Sequence, residues 1–151
     1  VLVLVLGAWT CAPVDDGGSD VSMTTTGFAA LVEGEPWRYV GETDQPAFEN
    51  GWASPPMAPA YALAFRLRES GRVEIRGFVN TGTPGSVIFT LPEGYRPTNA
   101  LFFSTTGEVS GTMSAGLLFV DSSGTVNGNR SPTNHDGIYI SVEYSLNAPS
   151  L

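Results

Sequence analysis

Beyond residue 60 the chain alternates apolar and polar positions in runs too short for helices. Residues 61–68 set Tyr61, Leu63, Phe65 and Leu67 on one face and Ala62, Ala64, Arg66 and Arg68 on the other, which predicts a half-buried strand. Residues 72–79 repeat the pattern, with Val73, Ile75 and Val79 inward and Arg72, Glu74 and Arg76 outward. The loop between them decides the register. A two-residue turn at Ser70-Gly71 would set Arg68 opposite Val73, wet against dry. A three-residue loop ending in Gly71 at positive φ instead pairs Leu67 with Val73, Phe65 with Ile75 and Arg66 with Glu74. Asp121-Ser122-Ser123-Gly124-Thr125-Val126 has the same form, so a second hairpin is expected with Val120 facing Val126.

Further strands are predicted at residues 86–91, 101–106, 116–121 and 138–144, bounded by turn-forming runs such as Asn80-Thr-Gly-Thr-Pro-Gly85 and Pro92-Glu-Gly-Tyr-Arg-Pro97. In the last of them Ile138, Ile140, Val142 and Tyr144 share one face. The single helix candidate, residues 26–33, is marginal in length. The pattern predicts an all-β fold, an antiparallel β-sandwich (jelly-roll-like) of about seven to eight short strands. An irregular segment, residues 1–36, precedes a sandwich domain at 37–151.

Composition agrees. Eighteen glycines and 11 prolines in 151 residues punctuate short elements, while 42% hydrophobic and 15% charged residues describe a globule with a core. The net charge of −8 argues against nucleic acid as a partner, since phosphate affinity needs clustered cations. All seven basic residues are arginine. Four of them (Arg66, Arg68, Arg72 and Arg76) lie close to Glu69 and Glu74 and read as a solvated hairpin face, not a phosphate patch.

The first residues, VLVLVL, are far short of the ~20 needed to span a bilayer. No basic residue precedes Arg38, so a secretory signal would be incomplete. Three accounts stay open. Cys11, followed by a polar tether, could be the lipidated residue of a lipoprotein; VLVLVL could pair as a strand; or the polypeptide could open at Met23. Residues 13–22 have the composition of a flexible linker.

Candidate chemistry is sparse. His135 is the only histidine and Cys11 the only cysteine, which removes disulfide frameworks and most metal and triad sites. No catalytic residue, metal or cofactor is expected. Glu93, Glu108, Asp121 and Asp136, which could be weighed as a glycosidase pair, all fall at predicted turns. Trp37, Tyr39, Phe48 and Trp52 cluster around a Pro-rich stretch. They either cap an open end of the core or are buried against a neighbouring subunit or a sugar.

Several stretches together resemble the small C-terminal domains of bacteriophage tail fibres and minor tail proteins, notably those of phages of actinobacteria. They are Phe48-Glu-Asn-Gly-Trp52, Ala64-Phe-Arg66, Gly71-Arg-Val-Glu-Ile-Arg-Gly77, Gly124-Thr-Val, Asp136-Gly-Ile-Tyr-Ile140 and above all Gly82-Thr-Pro-Gly-Ser-Val-Ile-Phe-Thr-Leu-Pro-Glu-Gly-Tyr-Arg-Pro97. The resemblance implies a non-enzymatic virion module, a homotrimer attached to other tail or capsid proteins and contacting a host surface polysaccharide or protein. Placement as a capsid decoration or head fibre is the alternative within the particle. A secreted or lipid-anchored bacterial binding domain at the cell surface is the alternative outside it. Trp52, Tyr95, Arg96, His135 and Asp136 are the expected receptor contacts, on loops at one end of the sandwich.

Overall fold

Two tight hairpins set the register of the sheet. The computed structural model describes residues 34–56, 59–128 and 136–146. Strand β1 is Arg38–Tyr39, β2 Ala64–Leu67, β3 Arg72–Asn80, β4 Val87–Thr90, β5 Leu101–Val109, β6 Thr112–Val120, β7 Thr125–Gly128 and β8 Gly137–Ser145. Between β2 and β3, Leu67 faces Val73, Phe65 faces Ile75 and Arg66 faces Glu74. The three-residue loop closes through Arg68 N to Arg72 O (2.8 Å) and Gly71 N to Arg68 O (2.9 Å). The β6–β7 loop repeats this with Asp121 N to Thr125 O and Gly124 N to Asp121 O, and Val120 faces Val126. Gly71 (φ 73°) and Gly124 (φ 91°) supply the left-handed position that each loop needs.

All neighbours pair antiparallel in the order β1-β2-β3-β8-β5-β6-β7-β4. The described residues therefore form the expected all-β antiparallel fold as one eight-stranded curled sheet. Its central seam is short. β3 and β8 pair from Arg72–Ser145 to Asn80–Gly137, whereas β8 meets β5 only at Thr106–Tyr139, Gly107–Ile138 and Glu108–Gly137. Beyond those three pairs β5 leaves β8 and the sheet folds back on itself. The rings of Phe65 (β2) and Phe89 (β4) then stack across the interior at 5.9 Å, with Tyr95 edge-on to Phe65 at 5.0 Å. Val40, Trp52, Leu63, Val73, Ile75, Val79, Ile88, Leu91, Leu118, Val120, Val126, Ile138, Ile140 and Tyr144 complete the core. A register shift between Val87 and Phe89 lets the consecutive Ile88 and Phe89 both face inward, as a bulge allows; both are fully buried.

Two expectations about the early strands need correction. Tyr61 does not point inward from a strand. Pro59–Tyr61 forms a single 3-10 turn at the end of the Pro-rich stretch, β2 begins only at Ala64, and Tyr61 is 57% exposed. Ala64, expected to be outward and wet, is buried where it lies between Tyr39 and Arg76 in the ladder. β5 and β6 are also longer than predicted, joined by a two-residue turn with both Ser110 (φ 47°) and Gly111 (φ 80°) left-handed, the geometry of a type I′ hairpin. The helix candidate at 26–33 and the readings of Cys11 and Met23 fall outside the described residues.

Residues 48–52 are fastened to β4. Glu49 N donates to Ile88 O (2.8 Å), Asn50 Nδ2 to Val87 O (2.9 Å) and Trp52 Nε1 to Ser86 Oγ (3.0 Å). The indole lies flat on Gly82, where an added Cβ would sit 1.9 Å from the ring. Gly82→Ala is therefore expected to lower stability by about 1–3 kcal/mol, the usual cost of overpacking. A denaturation midpoint equal to wild type would contradict this packing.

Candidate functional site

The four expected contact residues among those described divide between opposite ends of the sheet. The register puts the 69–71 and 122–124 loops at one end, with Tyr95 and Arg96 beside them. The Ser110-Gly111 turn, Asp136 and Trp52 lie at the other. They are not gathered into one patch.

Two of the five are core residues. Trp52 is 2% exposed and clamps the 48–52 segment to β4, as described above. Tyr95 is buried against Phe65. Its hydroxyl donates to Glu35 Oε1, and its carbonyl accepts from Tyr144 Oη at 2.5 Å. Glu35 also accepts from Leu67 N (3.0 Å) and pairs with Arg38 (3.4 Å), so this carboxylate joins the chain ahead of β1 to β2 and to the 92–97 loop. Arg96 is exposed, with Nε donating to Leu91 O (3.0 Å) and its stem lying over Gly124. Asp136 is exposed. Its carboxylate accepts from Ser110 N (2.9 Å), while its backbone bonds Glu108 O and Thr81 N. His135 lies outside the described residues.

Of the four acids weighed for catalysis, Glu108, Asp121 and Asp136 accept local hydrogen bonds. Asp121 accepts from Ser123 and Thr125, backbone and hydroxyl alike. Partial burial pushes its pKa up, but those four bonds outweigh it and hold the carboxyl below its ordinary range. Among the described residues no group of three or more His, Cys, Asp or Glu is placed to hold a metal ion. No helix among them is long and apolar enough to cross a membrane.

Sequence reasoning missed the outer surface where the sheet folds back. There, β3 and β8 floor a cleft of about 420 Å³, with Ala60 and Tyr61 on one side and Ser104, Thr105 and Thr106 of β5 on the other. Tyr139 in its floor meets the Phe78 ring at 4.4 Å, tilted by 37°, and Tyr139 Oη donates to Glu108 (3.5 Å). A second hollow of about 360 Å³ adjoins it through the shared Arg76 and Ser141, and is lined by Trp37, Arg66, Glu74 and Glu143. Trp37 lies on this outer face beneath two guanidiniums, Arg76 at 3.8 Å and Arg66 at 4.5 Å. The Arg cluster read from sequence is mostly neutralised. Arg66 and Arg68 share Glu74 (2.5 and 2.9 Å), and Arg72 pairs with Glu143 (2.7 Å). Arg76 has no carboxylate partner among the described residues.

No protein-family model and no curated protein matches the chain. Among solved structures, the chain is similar to the head domain of phage bIL170, described in a study of the receptor-binding domains of lactococcal phages. The TM-score is 0.52 and identity 18%, covering 74% of this chain and 97% of that one. At that identity the likeness is one of fold.

The Glu35–Tyr95 bond gives stability a pH dependence at both extremes. Burial, reinforced by the bond to Glu35, pushes the Tyr95 hydroxyl up to about 12, and burial raises Tyr144 as well. Burial also pushes Glu35 up, but its bonds from Tyr95 and Leu67 and the Arg38 charge outweigh that and leave it lowered. A raised tyrosine keeps its contribution below its unfolded pKa of about 10 and loses it as pH climbs towards the folded value. A lowered carboxyl keeps its contribution above about 4.5 and loses it as pH falls. Urea midpoints are therefore expected to be flat from about pH 5 to 10 and to decline on both sides. Tyr95→Phe should cost about 1–2 kcal/mol at neutral pH and make both declines shallower. An unchanged pH profile in that variant would count against the assignment.

Proposed function

We propose that this chain is a non-enzymatic receptor-binding module of a bacteriophage particle, a tail-fibre or tail-tip domain that contacts a host cell-surface polysaccharide or protein. The observation that carries this reading is the shared fold with the phage bIL170 head domain across 97% of that domain. The sequence resemblance to phage tail proteins supports it independently. On this reading Arg96 at one end, Asp136 at the other, and His135 are receptor contacts. Trp52 and Tyr95 serve the same surfaces by anchoring the loops that carry them. The protein resides in the virion, attached to other tail or capsid proteins.

The labelled full chain should bind some bacterial strains and not others in a panel weighted towards actinobacteria, with saturation and competition by unlabelled protein. Binding to no strain, or equal non-saturable binding to all, would overturn the reading.

Homotrimer formation belongs to the same proposal, and the outer face of the β5–β6 hairpin supports it. Phe102, Ser104, Thr106 and Glu108 alternate outward beside Phe119, Leu117, Ala115 and Met113. Phe102 (59% exposed) and Met113 (54%) are two of the three most exposed large apolar side chains described, and the Phe102 and Phe119 rings meet at 4.8 Å. Only Glu108 among these eight is charged. Copies carrying a net charge of −8 repel least where charge is sparse. Light scattering at micromolar concentration should give the mass of three chains, and Phe102→Asp should shift it to one. A wild-type monomer would refute the trimer.

A further inference from the structure

We propose that the cleft floored by β3 and β8 is a saccharide subsite, with Tyr61 as the stacking platform and Arg76 as the anchor for a single anionic substituent on the sugar. This rests on the receptor-binding reading and places the ligand on the outer face of the sheet, away from both loop ends.

Two independent features converge on the cleft. Tyr61 is 57% exposed and lines it. A large ring left in water beside hydroxyl groups suits the apolar face of a pyranose, because it buries area while leaving the sugar hydroxyls free to hydrogen-bond. Arg76 is exposed and, among the described residues, is held by its stacking on Trp37 with no carboxylate partner. Arg66, Arg68 and Arg72 are satisfied by carboxylates, so Arg76 alone of that cluster presents a fork of donors to the cleft. A guanidinium fork matches a carboxylate or phosphate in a bidentate fashion.

The hydroxyls of Ser104, Thr106 and Ser141, which also line the cleft, supply donors and acceptors for the sugar hydroxyls. The net charge of −8 opposes a densely anionic polymer, so one negative group per repeat is the fitting chemistry. A uronic-acid carboxylate and a sugar phosphodiester both meet that description.

The test uses the full chain on an array of bacterial surface oligosaccharides offered in neutral, uronic-acid-bearing and phosphodiester-bearing forms, followed by titration calorimetry on the best binder. Acidic forms should bind at least about tenfold more tightly than neutral ones, a difference of one charge-assisted contact. Which acidic form is bound identifies the source of the charge. Tyr61→Ala and Arg76→Gln should each weaken binding about tenfold or more, with Arg76→Gln abolishing the preference for acidic forms. Tyr61 is exposed, so Tyr61→Ala keeps the test interpretable if Arg76→Gln disturbs Trp37. Ser122→Ala, exposed in the β6–β7 loop, should leave affinity unchanged. Strain-specific cell binding that survives both cleft variants would overturn this inference while leaving the receptor-binding reading intact. Absence of binding to any oligosaccharide, or equal affinity for neutral and acidic forms, would overturn it as well. Failure to bind any cell would remove the broader reading on its own.

Discussion

The stacking of Phe65 on Phe89 is the contact on which the rest of the molecule depends. Four strands on each side of the seam present an apolar face that must be covered, yet only three residue pairs join β8 to β5. Backbone pairing alone does not fix the angle between the halves. The aromatic contact does, because burying two rings across the interior removes far more apolar surface from water than the short seam contributes. Tyr95 wedges against Phe65 from the side and Tyr144 ties the 92–97 loop down through the Tyr95 carbonyl. The closure that shapes the core also shapes the exterior. Where β5 departs from β8 to complete the inner packing, a hollow opens on the outside.

The stretches that carry the phage-protein resemblance are mostly fasteners. Phe48-Glu-Asn-Gly-Trp52 and Gly82-Thr-Pro-Gly-Ser86 hold each other, Trp52 lying on Gly82 and bonding Ser86. Leu-Pro-Glu-Gly-Tyr-Arg-Pro97 returns the chain from β4 and pins it with Tyr95 inside and Arg96 on the Leu91 carbonyl. A motif made of such residues describes how loops are secured to the sheet. On the proposed receptor-binding reading, recognition falls to side chains between and beside these fasteners, on surfaces that the motif only positions.

The legible part of the fold followed from local chemistry. Gly71 and Gly124 could be read because a three-residue loop with a left-handed glycine is the one solution that keeps like faces together, and the registers on both sides follow from it. The β5–β6 turn was harder to see, since Ser110 takes a left-handed conformation that serine seldom adopts. Tyr61 was misread because a period-two pattern continues into a Pro-rich turn that breaks the strand. The site was less legible still. Trp52 and Tyr95 look alike as loop aromatics whether they face a ligand or the core, and only tertiary packing separates the two cases. Arg76 is indistinguishable in sequence from Arg72 until β8 is known to lie beside β3 and to bring Glu143 to Arg72.

The outermost strands of the sheet are also among its shortest, two residues in β1 and four in β4. β4 is further covered by the bonds from Glu49 and Asn50 to its carbonyls. Little unpaired backbone is left on which a foreign strand could zip up. Many copies crowded side by side can therefore press together through their side chains without seeding cross-β growth, a tolerance that a long bare margin would forfeit.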